Sequence, residues 1–250
     1  MKKRKKKGED MIGLGTIINV GAILIGGLMG LFMGRGVKVR YQDILMISVG
    51  ICVMMLGIGG TMEEMLSIEN GEIVSGGSMM MIITMALGAL AGEWMDIEGK
   101  MEKPGIWLKK KTGSSGDNSF VDAFVTTSLT VCIGAMAVVG SIKDGIYGDY
   151  SILAAKAILD LIIVFVMTVS MGKGCVFSAI PVGVFQGVVT LLARLIEPLM
   201  TEAALSNLSL VGSIMIFCVG LNLVWGKKVK VANFLPAIVF AVAWAFAPWA

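Results

Sequence analysis

Eight apolar segments, each roughly 20 residues long, constrain the fold of this chain more than any other feature. A helix needs about 20 mostly apolar residues to cross a bilayer, where the backbone has no water to bond and must satisfy its own hydrogen bonds. We therefore predict an all-α fold, a polytopic transmembrane helical bundle of about eight helices. The predicted segments are residues 11–34, 43–62, 76–95, 119–140, 151–171, 175–196, 208–225 and 231–249.

The composition supports a chain surrounded by a lipid bilayer. Hydrophobic residues make up 56% of the chain and charged residues only 16%, whereas soluble domains have about 25% charged residues. The 33 glycines suit helices in lipid, because small residues let two backbones approach closely.

The polar parts of the sequence indicate one transmembrane domain and no soluble module. Residues 1–10, MKKRKKKGED, form a basic tail that we interpret as solvated, and either native or an added extension. Residues 11–250 form a single transmembrane domain with a polar loop at 96–118. No basic domain follows the tail, so the sequence does not indicate binding of nucleic acid.

The loops between the segments differ in charge, and this difference predicts the orientation. The odd-numbered loops hold most of the lysines and arginines, whereas the second loop holds four glutamates and no cation. Short loops rich in Lys and Arg stay in the cytoplasm. We therefore expect the odd-numbered loops in the cytoplasm and both termini outside, although the basic tail alone favours the opposite orientation.

Two pairs of similar stretches indicate an internal repeat. NVGAILIG (Asn19–Gly26) resembles PVGVFQGV (Pro181–Val188), and ICVMMLG (Ile51–Gly57) resembles IMIFCVG (Ile214–Gly220) at nearly the same separation. Helices 1–3 and 6–8 would then be copies offset by five helices, an odd number, so they cross the membrane in opposite directions. Such inverted-topology repeats are typical of secondary transporters.

The residue types exclude several kinds of chemistry. The chain has no histidine, which removes the commonest general base and the commonest transition-metal ligand. Its four cysteines form no CxxC pair, so neither a zinc site nor a disulfide framework is indicated. The sequence shows no constellation of nucleophile and base. We therefore expect the protein not to be an enzyme and to hold no metal or cofactor.

A charged pair inside the fifth segment is the first candidate site. Lys156 and Asp160 lie four residues apart among Ala, Ile, Leu and Val, and with Asp149 they fall within roughly 40° on one face of a helix. A charge near the bilayer midplane costs about 2.5–3.5 kcal/mol and usually marks a pathway for a solute or an ion. The alternative is that the two charges neutralise each other and only pin the bundle.

Polar residues and a proline interrupt the sixth segment, and they form the second candidate site. Ser178, Pro181 and Gln186 are the candidates, because a proline frees backbone carbonyls that a neighbouring helix or a bound solute can use. Asn19 occupies the matching place in the first segment, and paired interruptions of a repeat point to a transport site. Asn222 is a further candidate. The alternative is a simple proline kink, with Gln186 hydrogen-bonded between helices.

Three glycines in the first segment follow the pattern GxxxGxxxG. They are Gly26, Gly30 and Gly34. Small residues at this spacing form a contact face for another helix, either within the bundle or between two subunits. A homodimer through this face is therefore one of two options.

Four stretches of the sequence resemble a known family. They are GTIINVGAILIGGLMG near the start, GSIKDGIYGDYSILAAKAILD in the centre, FSAIPVGVFQG, and NFLPA near the end. Together they resemble the YqgA/YdfK-like bacterial membrane proteins, a domain-of-unknown-function family. The resemblance implies a bacterial cytoplasmic (inner) membrane protein, and it implies that Lys156, Asp160, Pro181 and Gln186 are family motif positions. It implies no known substrate.

The leading hypothesis is a secondary transporter or channel for a small solute or an ion. The fifth helix and the interrupted first and sixth helices would line its pathway. Asp160 would bind a coupling ion or proton, and Lys156 would be its charge partner or an anion contact. The alternative is a non-transporting membrane scaffold or sensor whose buried charges are structural.

Overall fold

The computed structural model describes residues 12–34, 36–114, 119–133 and 135–247, and the predicted basic tail lies outside these ranges. Two strands, β1 (Leu66–Glu69) and β2 (Glu72–Ser75), form a hairpin, and 3-10 turns lie at Lys173–Ser178, Glu197–Leu199 and Val231–Phe234. The helices are α1 (Leu14–Gly34), α2 (Val39–Met65), α3 (Ser78–Met95), α4 (Ile97–Lys111), α5 (Phe120–Cys132), α6 (Ala135–Tyr147), α7 (Ser151–Met171), α8 (Ala179–Leu191), α9 (Ala193–Ile196), α10 (Glu202–Trp225) and α11 (Leu235–Trp244).

Each predicted apolar segment corresponds to a helical segment, and the prediction of an all-α polytopic bundle is confirmed. Within the described ranges, six helical segments are long and apolar enough to cross a membrane: α1, α2, α3, α7, α10 and the run Lys173–Leu191, in which a 3-10 turn leads into α8. Helices α5 and α6 together cover the fourth segment, with a bend of 62° between them. The eighth segment is the shorter run Val231–Trp244, which contains α11.

The structure places the interruptions of these segments differently from the prediction. Helix α1 is continuous from Leu14 to Gly34, so the expected interruption of the first helix at Asn19 is wrong. Pro181 lies in the first turn of α8, where a proline is tolerated because N–H groups there have no partner within the helix. The sixth segment is interrupted instead by the 3-10 turn that precedes α8. The largest break lies in the fourth segment, between α5 and α6.

Successive spans alternate in direction, so the connections lie on two opposite faces of the bundle. We call the face that holds the loop after α1, helix α4 and residues 226–230 the odd-loop face. Helix α4 covers most of the predicted polar loop 96–118, and Asp96 caps it by accepting a hydrogen bond from the Gly99 N–H at 3.3 Å.

We call the opposite face, which holds the β-hairpin, the even-loop face. Asn70 and Gly71 connect the two antiparallel strands, with φ angles of 54° and 86°. Two-residue hairpin turns of this kind need positive φ at both positions, and Asn-Gly is a preferred sequence for them. The hairpin is exposed and forms a short projection beyond the spans.

The glycine face of α1 packs against α7 of the same chain. A Cβ atom added to Gly26 would collide with the carbonyl oxygen of Leu161, and one added to Gly30 would lie 2.7 Å from the carbonyl oxygen of Phe165. The two backbones are therefore in direct contact, as small residues permit. The three glycines therefore form a contact within the bundle, the first of the two options, while a homodimer through Gly26, Gly30 and Gly34 stays a prediction.

Helices α2 and α10 cross in opposite directions at small residues. A Cβ on Gly57 would lie 2.7 Å from the Ser213 carbonyl oxygen, and a Cβ on Gly220 would lie 2.7 Å from the Gly50 carbonyl oxygen. The proposed repeat matches Gly57 with Gly220 and Gly50 with Ser213. Applied to the contact between Gly57 and Ser213, it therefore gives the contact between Gly220 and Gly50. This symmetry is what an axis in the membrane plane through the crossing requires. The full inverted repeat of helices 1–3 and 6–8 stays a prediction.

Candidate functional site

A buried ion pair lies in the middle of α7. The Lys156 Nζ atom is 2.5 Å from the Asp160 Oδ2 atom, and the two residues are only 6% and 3% exposed. They face each other because residues four apart stand one above the other on a helix. The apolar residues around them give no other charge that could compensate either one within α7.

Asn19 of α1 completes the coordination of the Asp160 carboxylate. Its Nδ2 atom donates a hydrogen bond to Asp160 Oδ2 at 3.0 Å, and the residue is fully buried. Asn19 and Gly26 are seven residues apart and so lie on the same side of α1. The glycine contact with α7 therefore also holds Asn19 against Asp160. The structure thus brings Asn19, from the second candidate site, together with the charged pair of the first.

Lys156 is bound to the end of a broken helix. Its Nζ atom donates a hydrogen bond to the carbonyl oxygen of Val131 at 2.8 Å. Val131 lies in the last turn of α5, where backbone carbonyls have no partner within the helix and carry the negative end of the helix dipole. The break between α5 and α6 thus supplies an oxygen ligand for a cation inside the bundle. Broken helices serve in this way at the binding sites of transporters.

A cavity of about 490 Å³ leads from the odd-loop face toward this cluster. Its outer part is lined by Asp43, Glu98, Asp122 and Lys227, and it extends along α5 as far as Leu129. Leu129 and Val131 both lie in the last turn of α5, and Leu129 is the last residue of α5 that lines the cavity. The charged outer part is compatible with water, and the inner part is mostly apolar.

Lys227 is the cation at the mouth of this cavity. It forms ion pairs with Glu102 at 2.6 Å, Glu98 at 3.1 Å and Asp122 at 3.8 Å. Burial disfavours the charged form, but hydrogen bonds from Lys227 to Glu102 and Glu98 outweigh it and raise the pKa of Lys227 above its ordinary value. The lysine therefore stays charged at neutral pH and ties the 226–230 loop to α4.

A second, apolar cavity of about 250 Å³ lies on the other side of Leu129. Cys132 and Ile133 at the end of α5 line it, together with Pro181 and Phe185 of α8. Pro181 therefore lies beside the break in the fourth segment and not beside the ion pair. The buried Leu129 side chain separates the two cavities.

Two further candidates from the sequence are buried without a hydrogen-bond partner among the described residues. Both amide atoms of Gln186 and the Ser178 hydroxyl are in this state, and both residues are fully buried. The expected alternative, a hydrogen bond from Gln186 to another helix, does not occur among the described residues. Gln186 lies inside α8, and Ser178 lies where the 3-10 turn meets α8.

The other two candidates lie away from the ion pair. Asp149 precedes α7, which begins at Ser151, so it does not share a helix face with the pair; its Oδ1 atom accepts a hydrogen bond from the Ser151 N–H at 3.1 Å. Asn222 lies in the last turn of α10 and lines the larger cavity. Its amide bonds the backbone of Lys228 and Val229, which shapes the 226–230 loop.

Several buried polar residues were not among the candidates from the sequence, and Asp144 is one of them. Asp144 lies beyond residue 140, where the fourth segment was predicted to end, but it is inside α6 and has no exposed surface. Its Oδ2 atom accepts a hydrogen bond from the backbone N–H of Gly15, so the carboxylate caps the start of α1 from a neighbouring helix. The predicted segment stops at residue 140, whereas α6 continues to Tyr147. Extending the predicted fourth segment as an amphipathic helix beyond residue 140 would have placed Asp144 inside it.

Comparison with known proteins identifies a family for this chain, but the matches have no described activity. The model of the family described as "Protein of unknown function (DUF554)" matches residues 14–246. The uncharacterized membrane protein YdfK of Bacillus subtilis (strain 168) is 28% identical over 224 residues, which cover 90% of this chain and 92% of YdfK. The uncharacterized protein YqgA of Escherichia coli (strain K12) is 26% identical over 233 residues, which cover 92% of this chain and 94% of YqgA. No solved structure matches the chain.

Proposed function

The chain belongs to the DUF554 family of proteins of unknown function, and from its own site we propose that it is a secondary transporter or channel. It moves a small solute or an ion across the bacterial cytoplasmic membrane. Asp160 binds the transported or coupling ion, and Lys156 is its charge partner. The odd-loop face is the cytoplasmic face.

The observation that carries this proposal is the position of the ion pair beside a helix break. Lys156 and Asp160 lie within a span, and the Val131 carbonyl at the end of α5 accepts a hydrogen bond from Lys156. Charges at this depth are expensive and usually mark pathways, and broken helices supply backbone ligands at transport sites. The cavity that ends near Leu129 supports access to the pair from one side of the membrane.

The contrast between the two faces supports alternating access. The odd-loop side has the larger cavity, whereas on the even-loop side helices α1, α6 and α8 are in close contact. A Cβ on Gly145 would collide with the Thr190 carbonyl, and one on Gly15 would lie 2.7 Å from the Leu153 side chain. This arrangement corresponds to a state that is open toward the odd-loop face. Transport then requires a second state in which the contacts of Gly145 and Gly15 separate.

The test is transport by the purified protein in liposomes. Asp160→Asn keeps the size of the side chain and its capacity to accept from Asn19, but it cannot carry a charge. We expect currents or solute uptake by the folded variant to fall to the level of empty liposomes, and its melting temperature in detergent to fall as well, because the buried Lys156 loses its anion. Glu72→Gln on the exposed hairpin is the matched control and should transport like the parent. Full activity of the folded Asp160→Asn protein would refute the proposed site.

A membrane scaffold or sensor is the second candidate, and one observation favours it. The pair is well satisfied as it stands, because Lys156 bonds both Asp160 and Val131 while Asp160 also accepts from Asn19. A pair with these partners can hold three helices together without binding anything else. In that case no ion or solute would produce a current or uptake that depends on the protein.

A further inference from the structure

A seam of buried polar side chains joins α1, α6 and α8 between the ion pair and the even-loop face. Each helix contributes two residues, and each of the six is at most 8% exposed. Every one of them has a side-chain oxygen or nitrogen without a hydrogen-bond partner among the described residues. The six are Thr16 and Asn19 of α1, Ser141 and Asp144 of α6, and Gln186 and Thr190 of α8. We call this set the polar seam.

The outer layer of the polar seam consists of Thr16, Asp144 and Thr190. Asp144 bonds the N–H of Gly15, which precedes Thr16 in α1, and Gly145 packs directly against the backbone of Thr190. These contacts place one polar residue from each of the three helices at the same level, close to the even-loop face.

The inner layer lies one helical turn deeper and consists of Asn19, Ser141 and Gln186. Helix α1 runs away from the even-loop face, whereas α6 and α8 run toward it. One turn deeper into the bundle therefore means a higher residue number in α1 and a lower residue number in α6 and α8. A Cβ on Gly183 would lie 3.2 Å from Val20, which confirms that α1 and α8 approach each other at this level. Asn19 donates to Asp160, so the inner layer ends at the ion pair.

The unpaired atoms of the polar seam require a partner that both donates and accepts hydrogen bonds. They include the Gln186 amide nitrogen, a donor, the Asn19 and Asp144 oxygens, which are acceptors, and hydroxyl groups that do both. A dehydrated metal cation would match the oxygens but not the nitrogen. Water matches all of them, and a buried water typically makes about three hydrogen bonds to such groups.

We propose that the polar seam binds a chain of ordered waters that conducts protons between the even-loop face and Asp160. This inference rests on the proposed function and names its ion, the proton. The fully buried Leu153 packs against Gly15 and against Gly140, so an apolar wall from α7 closes the seam on one side. A narrow chain of waters between apolar walls favours protons over larger ions, because only a proton can pass by exchange of hydrogen bonds.

The proton balance is simple. Each water accepts one proton from the even-loop side and passes one proton inward, and the last of these protons converts the Asp160 carboxylate to the neutral acid. Among the described residues, the groups that face Asp160 are Lys156 on its own helix, Asn19 of α1 and Cys132 of α5. Lys156 keeps its hydrogen bond to the Val131 carbonyl. Release of the proton toward the odd-loop cavity restores the carboxylate, and one proton has crossed.

The experiment is proton flux into liposomes that contain the full-length protein and a pH-sensitive dye, driven by a potassium diffusion potential. Thr190→Val and Gln186→Leu each replace unpaired polar atoms by apolar groups of similar size. We expect each to slow proton flux by about tenfold or more, because the water chain loses a ligand. The melting temperature should stay equal or rise, since no hydrogen bond within the protein is lost.

Thr168→Val is the matched control. Thr168 is also buried with an unpaired hydroxyl, but it lies near the odd-loop end of α7, away from the polar seam. The Thr168→Val protein should conduct protons at the rate of the parent. If Gln186→Leu fails to fold, Ser141→Ala removes a single hydroxyl of the same layer and takes its place.

The possible outcomes separate this inference from the proposed function. Parent-like proton flux in the folded Thr190→Val and Gln186→Leu proteins would overturn the water chain. If the parent moves no protons but carries an Asp160-dependent current of sodium or another ion, the proton assignment fails and the transporter stands. If no ion or solute crosses in any condition, the proposed function itself fails and takes this inference with it.

Discussion

At the scale of single residues, the charges of α7 are partnered by groups from two other helices. Asp160 has Lys156 and Asn19, and Lys156 also has the Val131 carbonyl. Replacing both members of a buried pair by apolar residues is often neutral or stabilising, whereas removing one member leaves a buried charge uncompensated. The pair can therefore be tested for function separately from stability.

The first prediction concerns the two ways of removing this pair. Lys156→Leu alone should lower the stability of the protein by about 3 kcal/mol, because the Asp160 charge loses its cation. The double variant Lys156→Leu, Asp160→Met should recover the stability of the parent and show no transport. Thermal unfolding and liposome transport, measured on the same preparations, check both parts. A double variant that transports like the parent would show that the pair is only structural.

At the scale of elements, glycines set the distance between α1 and α7 and thereby the geometry of the site. Gly26 and Gly30 let α1 approach the carbonyl oxygens of Leu161 and Phe165. Asn19 lies on the same side of α1 and reaches Asp160 only at this separation. A change at the glycine face therefore acts on the site from two helical turns away.

A matched pair of glycine variants tests this dependence. Gly26→Ala places a methyl group against the Leu161 carbonyl and should destabilise the protein by about 1–3 kcal/mol through overpacking. Gly21→Ala, on the same helix, meets nothing within 4 Å and should be neutral or slightly stabilising. The measurement is the melting temperature of each variant in the same detergent. Equal melting temperatures would mean that α1 and α7 move apart with little loss of stability.

The elements also show what the sequence could and could not predict. The spans were found because length and hydropathy determine which segments suit a bilayer. The break between Cys132 and Ala135 was missed because it lies inside an apolar run, where composition carries no sign of backbone geometry. Lys156 and Asp160 were found as charges among apolar residues, while Asp144 was missed because the fourth segment was predicted to end at residue 140. The contacts between distant helices, such as Asn19 with Asp160, depend on packing and leave no local pattern.

At the scale of the whole molecule, the bundle has two unlike faces. The odd-loop face holds the larger cavity, helix α4 and the ion pairs of Lys227. The even-loop face holds the exposed hairpin and the outer layer of the polar seam. The orientation in the membrane therefore decides from which side the proposed site is reached in this state.

The distribution of lysines and arginines predicts that the odd-loop face is cytoplasmic. A cysteine at position 110, at the exposed end of α4, should then react with a membrane-impermeant thiol reagent only after the cells are opened. The background should lack the four native cysteines, and a cysteine at position 72 on the hairpin should show the opposite behaviour. Labelling of position 110 in intact cells would reverse the assignment. Equal labelling from both sides would indicate dual insertion.

The ion pair of α7 also has a consequence for how the chain is made. Lys156 and Asp160 belong to one helix, so they can pair as soon as α7 folds, and the insertion machinery receives a span whose charges already compensate each other. Asn19 and Val131 precede α7 in the chain and are synthesised before it. When α7 leaves the ribosome, the partners of both charges are therefore already in the membrane. The most costly span of the protein is completed without waiting for any helix that is translated later.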